Sequence, residues 1–168
     1  HMHRRRFLGL SALAAGGASA MNLKDFVQQT RDQGPGPSMP SIFIGHGSPM
    51  NALADNTFTL HLAELGRKLQ RPKAVLVVSA HWLTPGRTLV SVNPKPETIH
   101  DFGGFPQELF DVQYPAPGAP DAAHRTAAAV KSFAVHEDHE MGLDHGAWTI
   151  LKHIYPQADV PVFQLSLN

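Results

Sequence analysis

The chain has 168 residues, enough for one ordinary domain, with 14 Lys+Arg balanced by 14 Asp+Glu. Three of the basic residues sit together as Arg4-Arg5-Arg6 and the remainder forms no basic stripe, so nucleic acid is a poor candidate partner. The absence of cysteine excludes disulfides, thiolate metal sites and thiol catalysis, whereas eleven histidines are a high count that calls for an explanation.

Residues 1–20 read as a secretory signal: a basic start, a short apolar centre and an Ala-x-Ala end at Ala18-Ser19-Ala20, with His1 as a cloning remnant ahead of Met2. The paired arginines before Phe7-Leu8 look like the twin-arginine type, which implies a bacterial periplasmic or secreted protein exported already folded. A plain basic tail is the alternative. The apolar run is far shorter than the ~20 residues of a membrane helix, so no membrane anchor is expected. Residues 21–38 read as a linker, with a short helix over Met21–Thr30 and the Gly/Pro run Gly34-Pro35-Gly36-Pro37.

The folded part is expected over 39–168. Ser41–Gly45 and Lys73–Ala80 are apolar runs that read as buried strands, the second covered on both faces. Thr57–Leu69 has Phe58, Leu62, Leu65 and Leu69 on one helical face. Thr88–Val92 reads as a weaker strand, and Asn93–Pro120 as a long irregular stretch. Asp121 is the expected cap of a helix reaching Phe133, Val135 belongs to a short strand, Asp144 caps a helix over Gly146–Tyr155, and Val160–Leu167 is a last strand. This order predicts an α/β fold with a mostly parallel sheet and crossover helices.

His46 and His81 each follow one of the first two apolar runs, where an open α/β sheet builds its sites. Neutral imidazole is the commonest metal ligand. Rings on neighbouring strands ~5 Å apart can meet one ion at ~2.1 Å. Gly45 and Gly47 flank His46 and allow close approach. Ser48 lies outside any Gly-x-Ser-x-Gly pattern and precedes Pro49, which argues against a serine nucleophile. The loop Thr98–Pro106 joins His100 and Asp101 to two glycines and two phenylalanines, a composition that suits an ordered loop over a substrate pocket. His145 stands at a helix start, where the dipole disfavours its cation and leaves an imidazole able to do acid–base work. His136 and His139 flank acidic residues and read as solvated, while His61, His124 and His153 lie on expected helices.

Gly45–Asn51, Ser79–Trp82, Ile99–Pro106 and Gly142–Trp148, with Pro115–Gly118 and Val162–Leu167, occur together in one order. On these motifs the stretch 39–168 resembles the DODA-type extradiol aromatic ring-opening dioxygenases. They belong to the class III extradiol superfamily, which includes the catalytic subunit of protocatechuate 4,5-dioxygenase. The resemblance implies a mononuclear non-haem metal, usually Fe(II), with Zn(II) in close relatives. It makes His46 and His81 metal ligands and His145 a catalytic histidine beside the substrate, and it puts His100, Asp101 and Ser48 around that substrate. The partners implied are a small aromatic diol and dioxygen. Members of the family extend well beyond this length and carry a further metal ligand and the principal acid–base histidine there. The chain therefore reads as the N-terminal half of such an enzyme, with the remaining ligands supplied by later residues, an oligomer or a second chain. A non-catalytic Memo-like binding module and a zinc hydrolase on the same histidines are the alternative readings.

Overall fold

A computed structural model describes residues 38–168, so the expected signal over 1–20 and the linker with its Met21–Thr30 helix lie outside the described residues, Ser38 apart. Within Met39–Asn168 four strands form one sheet: β1 (Val75–Leu83), β2 (Thr88–Ser91), β3 (Val135–Asp138) and β4 (Val162–Leu167), in the order β1-β4-β2-β3. β1 runs parallel to β4 from Val75↔Val162 to Val78↔Leu165, and β2 runs parallel to β3. One antiparallel join, Val90↔Leu165, connects the two halves, which makes the expected α/β, mostly parallel sheet.

Two strand expectations need correction. Ser41–Gly45 carries no strand: it pairs with no neighbour among the described residues, Ile42 is exposed and Phe43 fully so. An apolar run favours burial, but a strand also needs a neighbour's backbone to bond with. β1 is covered on one face only, with Leu76 and Val78 exposed and Ser79 and Trp82 buried. Its burial alternates from Val75 to Ala80, the pattern of a strand covered on one face, and the alternation breaks where the pairing with β4 loses register.

Among the described residues four α-helices accompany the sheet: α1 (Thr57–Lys68), the single turn α2 (Gln107–Phe110) inside the irregular stretch, α3 (Pro120–Ala129) and α4 (His145–Ile154). A capping box starts α1, with Asn56 Oδ1 accepting the Thr59 N–H and Thr59 Oγ1 accepting the Asn56 N–H. Its expected apolar face packs on Ile150 and Ile154 of α4. For α3 the expectation was displaced: Ala119 is the N-cap, Asp121 lies inside the first turn, and the helix stops at Ala129 rather than Phe133. Pro120 sets this start, because a residue with no N–H and a fixed φ suits the first helical position. Asp144 caps α4 as expected. The main core gathers Leu109, Tyr114, Leu143, Trp148 and Val162, and a second cluster joins Val90, Val92 and Phe163 to Ala123 of α3. No helix among the described residues is long and apolar enough to cross a membrane.

Candidate metal centre

Three segments deliver a histidine each to one place. The first is the turn after the unpaired segment. His46 is followed by Gly47 at φ +66° and by a 3-10 turn, Pro49–Ala52, capped by Ser48 Oγ. Asn51 closes the turn by donating from Nδ2 to the His46 carbonyl at 3.1 Å. The second is β1, where His81 lies within the strand, two residues before its end at Leu83, rather than after it. The pairing with β4 loses register between Val78 and Leu83, and Ser79 Oγ accepts the His81 N–H at 3.2 Å. Such an irregularity re-aims a side chain that regular pleating would direct elsewhere. The third is the first residue of α4, His145, which is buried.

Their ring centroids stand 5.0 Å (His46–His81), 5.0 Å (His46–His145) and 4.0 Å (His81–His145) apart. One nitrogen from each ring lies within 4.8 Å of the others, so the three histidines could hold a metal ion. His46 Nε2 and His81 Nε2 are hydrogen-bonded at 2.8 Å. Two ligands on one tetrahedral ion at ~2.1 Å stand about 3.4 Å apart, so loading would part these nitrogens by about half an ångström. Burial, with the neighbouring His145 and His81 charges behind it, pushes the His46 pKa below its usual 6.5 and favours the neutral, ligating form. His46 Nδ1 is buried with no hydrogen-bond partner. The donor set fits a transition metal that accepts imidazole.

A buried carboxylate supports this cluster from below. Asp144 Oδ1 accepts from Ser79 Oγ at 2.7 Å and from the Ala147 N–H at 3.2 Å, while Oδ2 accepts from Gln164 Nε2 at 3.0 Å. It thus ties β1, β4 and α4 together directly beneath the histidines. Gly146 gives the contact its closeness: a Cβ there would come within 2.8 Å of both His81 Cδ2 and Ser79 Oγ.

Asp101 meets His145. Its Oδ1 accepts the His145 backbone N–H at 2.9 Å and lies 3.0 Å from the ring Nδ1, off the line of N–H donation, so that Nδ1 has no hydrogen bond. Burial pushes the Asp101 carboxyl up, but the His145 backbone N–H, the His145 ring beside it and the Asp101 backbone together outweigh it and leave the pKa below its ordinary 3.8. The other expected substrate residues, His100 and Ser48, bond outside the cluster. His100 Nε2 donates to the Val112 carbonyl at 3.0 Å, with its ring 5.5 Å from Trp148 and 5.8 Å from Phe102. Ser48 is exposed and spends its hydroxyl on the Met50 N–H. Phe102, which the motif contains but sequence reasoning leaves without a role, packs edge-on to His145 at 5.5 Å. Ser79 and Gln164 were missed as supports; a polar residue inside each of two apolar strands is the signal that finds them.

Residues 37–168 match the family described as the catalytic LigB subunit of aromatic ring-opening dioxygenase. The chain is 52% identical over 131 residues to the 4,5-DOPA dioxygenase extradiol of Escherichia coli (strain K12), covering 77% of this chain and 48% of that protein. It is 43% identical over 138 residues to the 4,5-DOPA dioxygenase extradiol of Beta vulgaris, covering 76% of this chain and 50% of that protein. It also resembles the crystal structure of the uncharacterized protein JW3007 from Escherichia coli K12, with a TM-score of 0.56 and 40% identity over 71% of this chain and 44% of that one. The chain thus spans about half the length of the curated relatives it matches. With three of its four motif histidines gathered in one cluster and its whole described length matched, it belongs to the LigB family of aromatic ring-opening dioxygenases.

Proposed function

We propose that the complete protein opens the ring of a catechol with dioxygen, cutting the bond beside the two hydroxyls rather than between them. The observation that carries this is the gathering of His46, His81 and His145 within 4.8 Å of one another, with Asp101 behind His145. The names of the relatives support a DOPA-like catechol as the substrate class.

In this reading His46 and His81 hold a single metal ion, Fe(II) first and Zn(II) second. Bound there, iron supplies Lewis acidity toward the diol oxygens and a redox route to dioxygen that zinc lacks. A catalytic site of this kind normally takes three protein ligands. His145 hydrogen-bonds the oxygen species or moves a proton beside the substrate in this proposal, with the principal acid–base histidine in the rest of the whole protein, so the third ligand comes from that part or from a partner chain. Asp101 faces the Nδ1 edge of His145, which leaves Nε2 to hold or move a proton at the substrate oxygen. Phe102, edge-on to His145, supplies an apolar wall that suits a flat ring and keeps water from it. The loop around His100 and Asp101, with Ser48, borders the substrate.

The test is oxygen uptake by the complete protein, purified without air and loaded with Fe(II). Consumption equimolar with a DOPA-like catechol, with a coloured semialdehyde product, is the expected result. Bound metal with no uptake on any catechol, together with ester or amide hydrolysis, would replace this reading with the hydrolase one. The basic start and Ala-x-Ala end of residues 1–20 support export to the periplasm in a folded, metal-loaded form. Cell fractionation and N-terminal analysis of the mature protein test that part.

A further inference from the structure

The turn that carries His46 is placed by side chains rather than by a sheet. Ser41–Gly45 ahead of it pairs with no strand among the described residues. Beyond it, Ala52 is buried in the main core and anchors the end of the 3-10 turn. Asn51, just before that anchor, joins the turn to two helices. Its Nδ2 donates to the His46 carbonyl at 3.1 Å, and its Oδ1 accepts from Asn56 Nδ2, at the cap of α1, at 3.2 Å. Its backbone carbonyl meets His153 Nε2, in the last turn of α4, at 2.7 Å. A carbonyl only accepts, so His153 Nε2 carries the proton and donates it.

α4 thereby governs two members of the histidine cluster. His145 is its first residue, and about two turns further on His153 grips the turn that delivers His46. The helix is itself well anchored: Trp148 is fully buried, and Ile150 and Ile154 pack on Leu62 of α1. The turn fits closely around the Asn51 amide, because Gly47 has φ +66° and a Cβ there would stand 3.0 Å from Asn51 Nδ2.

We infer that His153 is a positioning residue for the metal centre: through the Asn51 carbonyl it holds the turn that sets His46 against His81 and His145. The inference rests on the reading of His46 as a metal ligand, and it assigns His153 no contact with metal or substrate. Freedom left in an unpaired turn is lost when an ion binds, and that loss weakens binding. A ligand already held in place avoids it, which gives the hydrogen bond from His153 its effect on the metal.

Cobalt(II) titration of the metal-stripped complete protein tests this, with the visible absorption of the bound ion as a readout of ligand geometry. His153→Leu, which fills space without donating, should weaken cobalt binding about 10–100-fold and alter the absorption. His153→Gln, which can bring an amide N–H to the same carbonyl, should restore both. Asn51→Asp, which turns a carboxylate oxygen on the His46 carbonyl, should weaken binding by a similar factor. His46→Ala should abolish binding. Far-UV circular dichroism checks that each variant is folded. Affinity and absorption unchanged in folded His153→Leu, or a glutamine variant as weak as the leucine one, would overturn the inference while His46→Ala still loses cobalt. Cobalt retained by His46→Ala would overturn the ligand assignment beneath it, and the inference with it.

Discussion

The backbone N–H and the ring Nδ1 of His145 meet the same oxygen of Asp101, at 2.9 and 3.0 Å. One carboxylate thereby takes the first N–H of α4 and places its charge against the ring of the third clustered histidine. Asp101→Asn keeps an oxygen for the backbone N–H and removes the charge beside the ring. Turnover of the loaded complete protein should fall about 10–100-fold, the usual cost of losing a group that orients a functional histidine. Metal content should be unchanged. If metal is lost in step with turnover, Asp101 is acting on the fold of the site and not on the ring.

His46 and His81 should separate from His145 in a metal assay. His46→Ala and His81→Ala should each abolish metal uptake at this centre, because the remaining protein ligands are too few for a catalytic ion. His145→Ala should keep the metal and lose about 10²–10⁴-fold in turnover, the range for a missing acid–base group. Element analysis beside oxygen uptake reads both. Loss of metal in His145→Ala would make the third histidine a ligand.

Gly146 can carry no side chain without displacing its neighbours. A Cβ there would meet His81 Cδ2 and Ser79 Oγ at 2.8 Å and Asp144 Oδ1 at 3.1 Å. Gly146→Ala should therefore push His81 out of line and weaken metal binding. It should also cost about 1–3 kcal/mol of stability, as overpacking does. Thermal unfolding and metal titration of the variant would show both effects together.

Acid should loosen the metal-free protein through His46. Burial leaves its pKa in the folded state below the usual 6.5, so between those values the unfolded chain binds a proton that the folded chain does not. Stability is full above about pH 6.5 and is lost as pH falls toward the lower folded value. His46→Ala should flatten this part of the pH–stability curve measured by urea unfolding. An equal slope in the variant would place the titration elsewhere.

Much of the site was legible because its chemistry is local. His46, His81 and His145 each sit in a short motif with glycine or a cap beside them, and the cap at Asp144 formed as its position in the sequence implies. The strand expected at Ser41–Gly45 was not legible correctly, since pairing depends on a neighbour far away in sequence. The same limit hid Ser79 and Gln164. A polar residue within an apolar strand announces that something buried bonds to it, but only the packed fold shows that both bond to Asp144. At α3, Asp121 has the right residue type for a cap, yet Pro120 takes the first helical position and moves the cap back to Ala119.

Asp144 itself should separate charge from hydrogen bonding. Its Oδ1 accepts from Ser79 and Ala147, its Oδ2 accepts from Gln164 Nε2, and Gln164 Oε1 is buried without a partner. Asp144→Ala removes the side-chain cap of α4 and orphans two donors, the Ser79 hydroxyl and the Gln164 amide, while the Ala147 N–H keeps the Asp144 carbonyl at 3.0 Å, at a cost of about 2–4 kcal/mol. Asp144→Asn can place its Nδ2 toward Gln164, whose amide turns to offer Oε1, while the asparagine oxygen keeps Ser79 and Ala147. The asparagine variant should therefore stay close to wild type in stability, and Ser79→Ala should lose about 1–3 kcal/mol by removing the hydroxyl between Asp144 and the His81 N–H. Urea unfolding of the three variants ranks them. An asparagine variant as unstable as the alanine one would mean that the negative charge, and not the hydrogen-bond count, holds β1, β4 and α4 together.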